Sequence, residues 1–273
     1  MRGTSLNPGP RYEEPFAWWG PGWQVPERRD LAELLRDETI DNWTAANLWA
    51  ALARRRSLVV VAGESEVGKS TLLNALLDFL PPETRRVYPR GCFESFAFLS
   101  DPAIDPSETA LLINEISPHL PVYLWGPAVG RVLEAAQRGF MLLATAHADS
   151  FHEFVGGLTG SPLRIPLAKA AAFEFIVVMK RDGTSLSGRR VHGVWRLERT
   201  RAGASISAIP VVTPAGHDIS RERSPDGTDS PNWFPTHELT CRQRILGDLR
   251  ERRIALLPTT NLFTNSGCGD LYP

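Results

Sequence analysis

The chain has 273 residues, 42% of them hydrophobic and 22% charged, a balance that suits one large globular domain or two small ones. A net charge of −1 excludes any global pull toward nucleic acid or anionic membrane, so nucleic acid is not an expected partner. Three scattered cysteines (Cys92, Cys241 and Cys268) argue against a disulfide framework or a zinc site and fit a reducing cytosol; no signal peptide is readable, and no apolar run approaches the ~18 residues of a membrane span.

Met1 to Pro26 is rich in Pro, Gly and Trp, with Trp18, Trp19 and Trp23 set among Gly20, Pro21 and Gly22. It cannot be a regular helix, yet exposed tryptophans are costly. Residues 1–26 therefore read as an irregular arm packed on its own domain or on a neighbouring subunit. Asp30 to Leu35 has helical spacing, and Asp41 or Asn42 can cap a second helix that runs to Arg54, Arg55 and Arg56. Three arginines at a helix C-terminus complement its dipole, a structural role that suffices for them.

Ser57 to Ala62 is a short apolar run that reads as a buried strand. It leads into Gly63-Glu64-Ser65-Glu66-Val67-Gly68-Lys69-Ser70-Thr71, which matches the phosphate-binding P-loop, G-x-x-x-x-G-K-[ST]. Gly63 and Gly68 let the backbone turn tightly near phosphate oxygens. Loop N–H groups and the N-terminus of the next helix form a positive cradle. Lys69 would neutralise β/γ oxygens and the Ser70 hydroxyl would ligate Mg²⁺. The helix from Ser70 to about Leu80 carries Leu72, Leu73, Leu76, Leu77 and Leu80 as a stripe, and Pro81-Pro82 stops it.

A short strand and loop follow over residues 83–96. Thr109 to Ile116 reads as a buried strand ending in Glu115, Pro127 to Arg138 as a helix ended by Gly139, and Phe140 to Ala146 as a third buried strand closing on His147. Alternating strands and helices predict an α/β fold, a mostly parallel sheet with helices on both faces. Ligands of such sheets sit at the carboxyl ends of strands, and Gly63, Glu115 and His147 each lie at such an end. Glu115 is placed to hold Mg²⁺ through water or to polarise an attacking water; His147 is placed to sense a γ-phosphate by hydrogen bond. His152 and Asp149 lie near in sequence, but a metal site needs three or four convergent ligands. Further on, Ala172 to Met179 and Val191 to Leu197 read as a hairpin across Asp182 to Ser185, Ser205 to Val212 as a third strand, and His237 to about Leu257 as a helix.

From about Asp30 to Leu197 the chain resembles the secretion ATPases of type II and type IV secretion, type IV pili and tight-adherence pili. The carriers are the P-loop with its helix, Leu111 to Ile116 as their Glu-ended Walker B, Ala135 to Ser150 as their histidine box, and Gly188-Arg189-Arg190-Val191 as their late GRR hairpin. The P-loop is generic; the histidine box downstream of a Glu-ended Walker B is more diagnostic. Their aspartate box is matched by Glu94 alone, with Arg90-Gly91 where the acids usually stand. Asn114 replaces a Gly of Walker B, and Ser117 an Arg.

The resemblance implies a RecA-like P-loop core with a late β-hairpin and C-terminal helix, and catalytic roles for Glu115, His147 and Glu94. It implies ATP and Mg²⁺ as ligands and a homo-oligomeric ring, a hexamer. It further implies partners in an inner-membrane secretion or pilus platform, and a cytoplasmic location peripheral to that membrane. The expected organisation is an arm over 1–26, an ATPase domain over 27–213, a linker over 214–236, a helix over 237–257 and a flexible tail over 258–273. The family's sizeable N-terminal domain, which donates arginines to a neighbour, is expected to be missing. Arg85, Arg86, Arg90, Arg131 or another polypeptide would then supply them. Two other readings stay open: a nucleotide-gated module with weak or no hydrolysis, and a small-molecule phosphotransferase.

Overall fold

A computed structural model describes residues 12–13, 29–120, 122–183, 185–200, 203–209 and 233–251. Helix α1 (Leu31–Arg36) opens on a capping box in which Asp30 accepts from the Glu33 N–H at 2.7 Å and Glu33 accepts from the Asp30 N–H at 3.0 Å. Helix α2 (Asn42–Ala53) is capped by Asp41, which accepts from the Thr44 N–H at 2.9 Å. Strand β1 (Leu58–Val61) is buried throughout, and α3 (Lys69–Leu76) follows it across the P-loop, ending in a short 3₁₀ turn before Pro81. Next come β2 (Arg85–Val87), β3 (Thr109–Ile116), α4 (Pro127–Gln137) and β4 (Met141–Ala146). They are followed by α5 (Phe151–Thr159), α6 (Leu167–Ala170), β5 (Phe175–Arg181), β6 (Arg189–Thr200), β7 (Gly203–Ile209) and α7 (Thr236–Arg250).

The described strands form one seven-stranded sheet in the order β2-β3-β4-β1-β5-β6-β7. The first five neighbours run parallel, and β6 and β7 add antiparallel to that edge. The expected α/β P-loop core is found. Strand β1 is central, and its last residue Val61 stands level with Ala146 of β4 and Val178 of β5. The carboxyl ends of β1 and β4 therefore open on one edge, past which β5 runs on to Arg181.

Alternation along β1 divides the interior. Leu58 and Val60 face a core covered by α1, α2, α3 and α7, while Val59 and Val61 face one covered by α4, α5 and α6. A strand buried on both faces reads as a continuous apolar run, and that is why Leu58–Val61 has no polar break.

The three arginines after α2 have structural partners. Arg54 donates twice to Glu238 of α7, Arg55 Nη1 donates to Thr84 Oγ1 at 3.0 Å, and Arg56 pairs with Glu174 at 3.4 Å. Of the expected arm, Tyr12 packs on its own domain: its carbonyl accepts from the Tyr88 N–H at 2.8 Å and its ring meets Phe98. The rest of the Trp-rich arm, most of 214–236 and the 258–273 tail lie outside the described residues. Cys241 is disulfide-bonded, although the three scattered cysteines argued against a disulfide framework. Among the described residues no helix is long and apolar enough to cross a membrane.

Candidate functional site

The P-loop folds as its glycines require. Gly68 caps α3 in the left-handed region (φ 93°), and Glu66 is left-handed as well (φ 59°). Such alternation around Val67, itself buried, turns successive N–H groups toward one concavity that suits an anion. Gly63 has no room for a side chain, because a Cβ there would stand 1.7 Å from Asp149 Oδ1. Asp149 follows β4 in the stretch read as the histidine box. Its N–H donates to Glu153 Oε2 at 2.6 Å, and Ser150 caps α5 through the Glu153 N–H at 3.1 Å.

Lys69 is largely buried and lies back over the loop. Its Nζ is 3.4 Å from the Ala62 carbonyl and 3.9 Å from Glu115 Oε2, with side-chain exposures of 11% and 15% for the pair. Glu115 owes its aim to a β-bulge. Ile113 pairs with Ala144 and Ile116 with Ala146, so Asn114 and Glu115 together face the single residue Thr145. A bulge of this kind redirects a side chain. The buried Thr145 hydroxyl fixes it by donating to the Asn114 carbonyl. Beside this carboxylate, burial and then the charge of Glu115 push the Tyr123 phenol above its ordinary pKa.

His147 donates its backbone N–H to the Ile116 carbonyl at 3.4 Å, and its ring meets that of His119 edge-on, with centroids 4.3 Å apart. Gly63, Lys69, Glu115 and His147 thus share the carboxyl edge of the sheet. Glu94 has another occupation: its two carboxylate oxygens accept the backbone N–H groups of Arg90 and Phe96, each at 2.8 Å. It staples its own loop, which turns at Gly91 (φ 58°) against the Val122 carbonyl.

Sequence reasoning missed the far side of the P-loop. Arg181, at the end of β5, donates from Nε to Glu64 Oε2 at 2.5 Å and reaches the Ser65 carbonyl at 3.5 Å. Arg189, at the start of β6, lies against Gly68. The GRR run was a usable signal for Arg189; nothing in the sequence pointed to Arg181. Of the arginines named as candidates, Arg85 is bound to Glu13 and Arg131 stacks over Phe96. Ser70 stands exposed in the first turn of α3, so a hydroxyl and the Glu115 carboxylate are available as oxygen donors of the kind Mg²⁺ takes.

No family model matches the chain. It is 26% identical to an uncharacterised protein of Methanocaldococcus jannaschii, over 54% of this chain and 30% of that protein. Among solved structures it is similar in fold to the VirB11 ATPase from the Brucella suis type IV secretion system in complex with sulphate, with 17% identity, 64% of each chain covered and a TM-score of 0.42. It is also similar to the Legionella pneumophila ATPase DotB, with 16% identity, 75% of this chain and 55% of that one covered, and a TM-score of 0.37. The chain spans less than two thirds of each of these proteins, and under a third of the curated relative.

Proposed function

We propose that this chain binds ATP with Mg²⁺ at the P-loop and hydrolyses it, as a motor subunit of a type II/IV secretion or type IV/tight-adherence pilus-like machine. The observation that carries the reading is the approach of Lys69 Nζ to Glu115 Oε2 at 3.9 Å, with both side chains largely buried. A cation and an acid held so close at the end of a β-strand match the division of labour in phosphoryl transfer to water. Lys69 swings from the Ala62 carbonyl to the β/γ oxygens. That movement frees the Glu115 carboxylate to accept a hydrogen bond from the attacking water and orient it in line with the γ-phosphorus. The His147 imidazole donates to a γ-oxygen. The Ser70 hydroxyl and, through water, the Glu115 carboxylate would hold Mg²⁺, which would supply charge neutralisation on the phosphates.

The motif resemblance supports a ring, a hexamer with nucleotide between neighbours, docked from the cytoplasm on an inner-membrane platform. The test is phosphate release from ATP across a wide protein concentration range, beside Lys69→Ala and Glu115→Gln. Specific turnover that climbs with concentration and vanishes in both variants is expected. A chain that neither binds nor cleaves ATP would sink the reading.

A second reading, a nucleotide-gated module with weak or no hydrolysis, is favoured by one observation. Glu94, the expected aspartate-box acid, has both oxygens engaged by its own loop. Tight Lys69-dependent ATP binding with negligible turnover, unchanged in Glu115→Gln, would select it.

A further inference from the structure

Arg181 and Arg189 stand directly opposite each other in the β5–β6 hairpin. Residues so paired on antiparallel strands project to the same face, and like charges there repel. Among the described residues only one of the two has an acid against it: Arg181 is paired with Glu64. Arg189 is held by its backbone instead, its carbonyl accepting from the Ser185 hydroxyl at 3.0 Å and the Ser187 hydroxyl at 2.9 Å. Among the described residues its guanidinium makes no ion pair or hydrogen bond. That group lies over the P-loop, since a Cβ built on Gly68 would stand 3.5 Å from Arg189 Nη1 and 3.6 Å from its Cδ.

We propose that Arg189 is a phosphate-binding residue, clamping the nucleotide's phosphate chain from within the same polypeptide. The proposal rests on the P-loop reading and adds to it the source of an arginine. Three features support it. The guanidinium borders Gly68, the left-handed N-cap of α3 within the N–H cradle. Its planar fork can grip two phosphate oxygens in a fixed bidentate geometry, which the ammonium of a lysine does not impose. A bound phosphate would also cancel the repulsion between Arg181 and Arg189, so that the hairpin gains its missing counter-charge from the ligand.

The experiment is a titration of the full chain with fluorescent ADP and ATP analogues, comparing wild type, Arg189→Ala, Arg189→Lys and Lys69→Ala. Thermal melts are run on each variant without ligand. Arg189→Ala should weaken both nucleotides roughly tenfold to a hundredfold, the usual effect of losing a charge-assisted hydrogen bond. Arg189→Lys should recover part of the loss, and the unliganded melting temperature should not fall in either. Wild-type affinity in Arg189→Ala, with binding lost in Lys69→Ala, would overturn the role of Arg189 and leave the P-loop reading standing. Wild-type affinity in Lys69→Ala would overturn both. Weakened binding accompanied by early melting in Arg189→Ala would overturn the clamp in favour of a folding role.

Discussion

The Asp149 carboxylate fills the space where a side chain on Gly63 would begin, 1.7 Å from the position of a Cβ. The P-loop and the stretch after β4 therefore meet at Gly63 and Asp149, and the glycine is demanded by a neighbour as well as by the turn. A methyl group at 63 must push Asp149 aside. Asp149 is exposed and its displacement disturbs little packing, so the effect falls on the site. Gly63→Ala should lower nucleotide affinity about tenfold while costing the fold on the order of 1 kcal/mol or less. Adding Asp149→Ala should restore much of that affinity. A double-mutant cycle with additive losses would show that the two residues are not coupled.

The aim of Glu115 depends on one hydroxyl. Thr145 is buried and donates to the Asn114 carbonyl inside the bulge. Thr145→Val keeps the shape and leaves that carbonyl without its donor. The expected cost is about 1–2 kcal/mol in urea unfolding. ATP turnover should fall further than nucleotide binding, since Lys69 and the loop are untouched while Glu115 is freed to wander. Equal losses in binding and turnover would count against the bulge as the device that positions the glutamate.

Trp49 is sandwiched in the core under α7. Its ring stacks on Phe79 with centroids 5.2 Å apart, and the Arg242 guanidinium lies 4.4 Å over its other face. Removing the indole leaves a cavity and strips a largely buried cation of its aromatic partner. Trp49→Ala should destabilise the chain by about 3–5 kcal/mol in chemical denaturation. Trp49→Phe should cost much less, because the stack on Phe79 survives.

The sheet was legible wherever burial alone decides the residue pattern. Strands β1, β3 and β4 are covered on both faces, so each is an unbroken apolar run in the sequence, and α4 shows its 3.6-residue period. Helix α5 was not read, although Ser150 and Glu153 give it a cap, because Gly156 and Gly157 lie in its middle; packing of Phe151, Phe154 and Leu158 overrides their poor propensity. Strand β5 was expected from Ala172 but begins at Phe175, since Phe173 still closes a helical turn onto the Ala170 carbonyl at 3.1 Å. In the site, the meeting of Lys69 and Glu115 followed from topology, which brings strand ends together whatever the loops do. The places of Arg181 and Arg189 depend on cross-strand register, set by a turn whose geometry composition does not reveal. The bulge at Asn114 was equally invisible, because one extra residue in a strand leaves no mark on an apolar run. Glu94 shows the opposite case: a motif position survived in the sequence while the folded loop took its carboxylate for itself.

Helix α7 is fastened to α2 by Glu238, which accepts from Arg54 Nη1 at 2.7 Å and Nη2 at 2.6 Å, and from Arg242 Nη2 at 2.9 Å. The hydrogen bond from Arg54, with Arg242 behind it, holds the Glu238 carboxyl below its ordinary value of 4.5. A carboxyl depressed on folding stabilises the native state above its unfolded pKa, and that stabilisation is lost as pH falls through the folded value. The chain should therefore be more easily unfolded below about pH 4.5, with part of the loss traceable to this one group. Glu238→Gln should cost about 1–2 kcal/mol at pH 7, an amount discounted for the partial exposure of Arg54. The same substitution should flatten the fall in stability between pH 5 and 3, because the variant has no proton to bind there. Urea unfolding of both proteins at several pH values would test this, and parallel curves for the two would show that the Arg54–Glu238 contact does not set the acid sensitivity.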